Sequence, residues 1–412
     1  MEEVQEQLAR LRRRIAKIDR KYAAAAPAPR PKAPRASGEF IEELMHGEVT
    51  RTQAGAHFET EKLWERHRRH GPVGISDLAE LPEDLLDSLS SGEIRRTRPE
   101  RWAFLDTETT GVAGAAATYP FLIGVGSIDA GGFRLRQFFM RNSSEEASVL
   151  ARLAEYLQQF DVVITYNGKA YDQPLLETRF RIVRARHPFG RMTHLDVLFG
   201  ARRLWKLRLE SCRLVDLEYQ ILGVERQGDL PGAMVPYYYF EYLRTQQAMR
   251  LVPIFHHNAM DILSLACLTA VISMAFRAPE QAEFRHGADL VGLARWLVKS
   301  GQPEQGLRLL RRAVDLGLPD ELLFRTLWDA ATIERRMGQT DAALESFAEL
   351  TASRNPYRAR AFEALAKHYE HRERDLPMAL EMTQRGLALT ETASMRRREL
   401  RLLTRLGQRM RT

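Results

Sequence analysis

The sequence predicts an α/β domain built on a mixed sheet, followed by an all-α domain of helical hairpins. Three observations carry this. From Arg101 onward, short β-rich runs alternate with helical patterns. Beyond Phe284 no strand signal survives. In that second region a helix–break–helix plan recurs three times, the signature of a repeat architecture.

In chain order, "VQEQLARLRRRIAKIDRK" places Val4, Leu8, Leu11, Ile15 and Ile18 on one seam of a basic amphipathic helix, residues 1–22. It reads either as a solvated helix or weak self-association element, or as a basic arm tracking phosphates; the former is preferred. "AAAAPAPRPKAPRAS" makes residues 23–38 an Ala/Pro linker. Residues 39–100 form an N-terminal extension of uncertain structure. Within it, "GEVTRTQAGAHFETEKLW" suggests two short strands, and "DLAELPEDLLDSL" a helix broken at proline. His67 and His70 lack a second ligand pair nearby and read as surface histidines.

Residues 101–280 make the α/β unit. "WAFLD", "YPFLIGVGSI", "FRLRQFFM", "DVVITYN" and "MTHLDVLF" are five expected strands, the second and third joined by the turn "DAGG". "SSEEASVLARLAEYLQQF", with a serine cap, and "YDQPLLETRFRIV" are expected helices. Residues 285–412 hold the helical hairpins, with Gly306, Ala343 and Ala379 at equivalent places and Gly338 and Pro356 at turns. Their spacing is tetratricopeptide-like and would suit a protein partner.

A hydrophobic share of 44% and a charged share of 28% place the chain among ordinary globular proteins. No secretory signal is expected, and apolar runs look too broken by charge to span a membrane. Cys212 and Cys267, the only cysteines, exclude a disulfide framework and a four-cysteine metal cluster and point to a reducing, cytoplasmic setting. The net charge of +7 favours a polyanionic partner.

The chemistry concentrates in three stretches. In "FLDTETTG", Asp106 and Glu108 sit at i and i+2 where a buried strand ends, so both point to one face. Carboxylates held that close repel, and a hard divalent cation relieves the repulsion. By itself D-x-E also fits two solvated acids at a strand end. In "TYNGKAYDQPLL", Asp172 opens a helix, where an acid suits the dipole as well as a metal. In "FHHNAMDILSLACL", His257 and Asp261 share a helix face at i and i+4, beside an apolar stripe where an unpaired acid is costly.

Taken together, these stretches resemble the three-motif signature of the DEDD superfamily of 3′–5′ exonucleases, which have a ribonuclease H-like fold. "HLDVLFGARRLWKLRLESCRLVDLEYQILGVERQGDLPG" and the HN-x-x-D of residues 257–261 are similar to the YprB-type ribonuclease H-like branch. The resemblance runs from about Arg101 to Met274. It implies a mixed five-stranded sheet with flanking helices, two bound cations, Mg²⁺ or Mn²⁺, and Asp106, Glu108, Asp172 and Asp261 as their ligands. It implies His257 as general base, with His256 an alternative at the other family spacing, and Thr109 and Asn167 as contacts to a terminal nucleotide. Asp196 is a competing carboxylate with a supporting or purely structural role, and Tyr171 is a base-stacking or core residue. One departure stands after "TTG": "VAGAAATYP" replaces the glycine-rich turn of the branch.

The activity implied is metal-dependent hydrolysis of phosphodiester bonds in single-stranded DNA or RNA, from a 3′ end. Two alternatives are a structure-selective endonuclease on the same fold and a nucleic-acid-binding scaffold that uses its helical hairpins for recruitment.

Overall fold

The structure is a computed structural model that describes residues 40–90, 92–111, 118–226, 228–282 and 284–409. The expected basic helix, the linker and most of the alanine-rich turn lie outside these residues.

A seven-stranded mixed sheet organises the α/β region, in the spatial order β1-β2-β7-β6-β5-β8-β9. Its expected five strands are β5 (Trp102–Thr109), β6 (Pro120–Asp129), β7 (Gly132–Phe139), β8 (Val162–Thr165) and β9 (Thr193–Asp196). β5, β6 and β7 run antiparallel, while β8 and β9 join β5 in parallel. Two more strands come from the N-terminal extension: β1 (Gly47–Thr52) and β2 (Gly55–Glu65), with β2 pairing along β7. The sheet is therefore wider than the five strands expected, and the second added strand is long rather than short. A small hairpin, β3 (Arg69–His70) and β4 (Val73–Gly74), lies apart from it.

Polar side chains fasten the added strands. His57, fully buried, bridges Ser148 Oγ at 2.8 Å and Glu59 Oε1 at 3.1 Å. Ser148 lies on helix α1 (Glu146–Tyr156), whose 3₁₀ lead-in is capped by Asn142 rather than by the serine expected. His70 departs from its surface reading: it is 5% exposed and meets Ser264 Oγ at 2.8 Å.

The longer helices of the α/β region continue with α2 (Asp172–Ile182), α3 (Val197–Trp205), α4 (Val235–Thr245) and α5 (Val252–Arg277). α5 packs on β5 and β6. By length and composition it could cross a membrane, contrary to the expectation of short apolar runs, but 78% of its most apolar window is buried inside the protein. Glycine explains how closely it sits. A Cβ at Gly124 would lie 2.2 Å from Asn258 Oδ1, and one at Gly126 2.6 Å from Ile262 Cγ2. These glycines alternate along one face of β6, and only that face meets α5.

Seven helices follow: α6 (Gly287–Lys299), α7 (Pro303–Leu316), α8 (Asp320–Arg336), α9 (Thr340–Ala352), α10 (Arg358–His368), α11 (Leu376–Leu387) and α12 (Ala393–Arg409). Each packs on its chain neighbour. Gly306, Ala343 and Ala379 are each the fourth residue of the second helix in a pair, and all are buried. The first pair shares a hydrophobic core with the sheet. α6 lies so close to α3 that a Cβ at Gly292 would come within 2.5 Å of the Arg203 and Leu204 carbonyl oxygens. Arg208 and the buried Asp289 close this junction at 2.9 Å.

Candidate metal and catalytic centre

β5 carries its acids past the end of its parallel neighbour. The β5–β8 pairing stops at Phe104↔Ile164, so Asp106 and Glu108 lie where the strand is bordered only by β6. In parallel α/β sheets this opening beyond the carboxyl ends of the strands is where ligands bind. α5 brings His257, Asn258 and Asp261 to the same place, and ligand atoms of Glu108, His257 and Asp261 all lie within 4.8 Å of one another. Asp172, the first residue of α2, accepts a 2.5 Å hydrogen bond from Thr107 Oγ1.

The electrostatics fit a cation. Burial pushes Asp106 well above the usual carboxylate range, and Asp261, Glu108 and Asp172 push it further. Burial and the other acids carry Glu108 to about 8 against the pull of His257. Burial also raises Asp172, to about 6, and Asp261, whose rise is opposed by His257 and Arg226. Four acids whose ionisation burial opposes for want of counter-charge make an oxygen-rich donor set suited to a hard divalent ion.

Several supporting residues were not among the expected site residues. Asn258, fully buried, donates to Asp106 Oδ2 at 2.8 Å and accepts from Gln137 Nε2 at 2.9 Å, which fixes the first carboxylate on its strand. Arg226, whose side chain is 4% exposed, donates to Glu218, Asp229 and Asp261. Asp229 meets His257 Nδ1 with both oxygens, at 2.8 and 2.9 Å. Burial disfavours a charged His257, yet the Asp229 bond and the nearby acids raise it to about 9. Asn258 stands inside the HN-x-x-D stretch, where its neighbours drew attention first. Arg226 and Asp229 lie in an irregular segment with no periodicity to expose them.

The remaining expected residues divide clearly. His256 is exposed and stands outside the Glu108–His257–Asp261 group. Asp196 ends β9, is 5% exposed, and accepts from the backbone N–H groups of Asn167, Lys169 and Leu198. These bonds shape the loop before Asp172, and the charge of Asp196 also helps to raise Asp172. Thr109 and Asn167, the latter at φ 67°, line a pocket of about 290 Å³ with Asp106, Asp172 and Tyr171. Tyr171 is not core: it is 48% exposed at that pocket.

Two comparisons agree with this architecture. A family model described as RNase H superfamily matches residues 103–273, the span from β5 to α5. The uncharacterized protein YprB of Bacillus subtilis (strain 168) is 30% identical over 332 residues, covering 78% of each chain. The chain belongs to the YprB-type family within the RNase H superfamily, and its sheet carries a nuclease-like domain.

Proposed function

We propose that the protein is a metal-dependent nuclease that removes nucleotides from the 3′ end of single-stranded DNA or RNA. The observation that carries this is the meeting of acids from β5, α2 and α5 with His257, beside a pocket lined by Thr109, Asn167 and Tyr171. Asp106, Glu108, Asp172 and Asp261 would hold two divalent cations, Mg²⁺ or Mn²⁺. When bound, these would acidify the attacking water and neutralise charge on the departing oxygen. With the acids that hold His257 protonated offset by bound cations, the neutral ring then takes the water's proton at Nε2. The water oxygen bonds to phosphorus, the bond from phosphorus to O3′ breaks, and O3′ takes a proton from solvent. Products are a nucleoside 5′-monophosphate and a strand one nucleotide shorter ending in a 3′-hydroxyl. Thr109 and Asn167 hold the terminal nucleotide, and the exposed Tyr171 ring offers its base a stacking face. The helices after Gly287, read as tetratricopeptide-like repeats, recruit a protein partner.

The test is nucleotide release from 5′-labelled single-stranded DNA and RNA with Mn²⁺ or Mg²⁺, beside Asp106→Ala. A metal-dependent shortening ladder that vanishes in the variant supports the proposal. Cleavage of a circular strand would replace it with an endonuclease, and no cleavage of any substrate would remove the nuclease reading.

A further inference from the structure

We infer that Asp229, itself held by Arg226, is a positioning residue that fixes the tautomer of His257 and aims its Nε2 at the acids. The inference deepens the nuclease reading and rests on it for its catalytic meaning, but its geometric basis is separate.

The argument starts from donor and acceptor chemistry. An ionised carboxylate only accepts hydrogen bonds. Both Asp229 oxygens stand within 2.9 Å of His257 Nδ1, so Nδ1 carries a proton. Arg226 Nη1 also approaches Nδ1, but at 3.5 Å, and the shorter carboxylate contact decides the assignment. With Nδ1 serving as donor, Nε2 is the nitrogen left to exchange a proton. It lies 3.6 Å from Asp261 Oδ2, beyond hydrogen-bond length and facing the Glu108–Asp261 cluster.

Arg226 makes the arrangement rigid. Its Nε donates to Glu218, fully buried, and Glu218 accepts in turn from Ser264 Oγ at 2.6 Å. Its Nη2 donates to Asp261 Oδ1 and its Nη1 to Asp229 Oδ2 at 3.2 Å. One guanidinium therefore sets the partner of the histidine and one of the acids at once. The sequence separation is 28 residues from Asp229 to His257 and 35 from Arg226 to Asp261, so folding alone assembles the group.

The same donors foretell what an amide would do. In Asp229→Asn only one oxygen remains to accept, while Arg226 Nη1 donates toward Oδ2 and the Leu230 backbone N–H donates to Oδ1 at 2.9 Å. The amide cannot pair both donors and hold the Nδ1 proton as well, so His257 loses its fixed tautomer although fold and charge cluster survive, the logic by which a carboxylate orients a catalytic imidazole elsewhere.

Two measurements on the full chain test this. The first is ¹⁵N NMR of histidine-labelled protein with Mg²⁺, with His257 assigned through His257→Gln. We expect a protonated Nδ1 in the unmutated protein and loss of that fixed protonation in Asp229→Asn; an unprotonated Nδ1 in the former, or no change in the latter, overturns the inference. The second is a double-mutant cycle on single-strand cleavage. Asp229→Asn should lower kcat about 10- to 100-fold, the usual cost of losing such a partner, with KM unchanged. Combined with His257→Gln it should add no further loss. An additive loss, or one confined to KM, overturns the inference. Absence of cleavage by the unmutated chain would count against the nuclease reading, and the NMR result would still decide the positioning role.

Discussion

Raising the pH should weaken the metal-free protein and strengthen its response to Mn²⁺. Glu108 ionises near 4.5 when unfolded and at about 8 when folded. Between those values the native state holds a proton that the unfolded chain has released, so stability falls as pH rises. One proton corresponds to about 1.4 kcal/mol per pH unit. His257 acts in the same direction over a higher window, because its folded value of about 9 lies above the ordinary 6.5. Full stability is thus present only below about pH 4.5; Glu108 erodes it from there to about pH 8, and His257 extends the loss from about 6.5 to about 9. A bound cation displaces the Glu108 proton and removes that cost, so Mn²⁺ should stabilise little near pH 6 and several kcal/mol more near pH 8. For a chain of this size each kcal/mol moves Tm by roughly 2 °C. Scanning calorimetry with and without Mn²⁺ reads this directly, with Glu108→Gln as control. A Mn²⁺ shift equal at the two pH values, or a pH dependence left intact by Glu108→Gln, would refute the reasoning.

Other consequences can be measured independently. Gly124→Ala drives a methyl into Asn258 and Ile262, so it should cost about 1–3 kcal/mol in urea unfolding. The same variant should bind Mn²⁺ more weakly in calorimetry, because Asn258 would release Asp106. Arg208→Ala leaves Asp289, 3% exposed, without its partner and should destabilise by about 3–5 kcal/mol, seen as a lower thermal midpoint with Mn²⁺ affinity unchanged.

The legible parts of this protein were those governed by local pattern. The five strands from Trp102 to Asp196 announce themselves because their alternating or continuous apolar residues are what a covered sheet requires. The acids were visible because each stands where an apolar run stops or continues without reason for a charge. What stayed hidden depends on distant partners. β2 gives a weak strand signal because buried His57 and Glu59 make polar rather than apolar contacts. His70 looks like a surface residue until Ser264, 194 positions away, is folded against it. Arg226 and Asp229 fall inside the stretch similar to the YprB-type branch, but nothing local marks their role, which is fixed by what α5 brings to them. The ambiguity between His256 and His257 is one of helix phase. Adjacent helical residues differ by about 100°, and packing turns only His257 toward Glu108 and Asp261.

The added hairpin has a consequence for solubility. Without β2, the outer border of the sheet would be β7, eight residues of open hydrogen-bonding groups flanked by the buried rings of Phe133, Phe138 and Phe139. Such a border is a template for pairing with other chains. With the hairpin in place, the border among the described residues becomes β1, six residues long, with exposed Gly47, Glu48, Val49 and Arg51. A charged and short margin discourages foreign strands. Residues 47–65 therefore cover the hydrogen-bonding border that β7 would otherwise present.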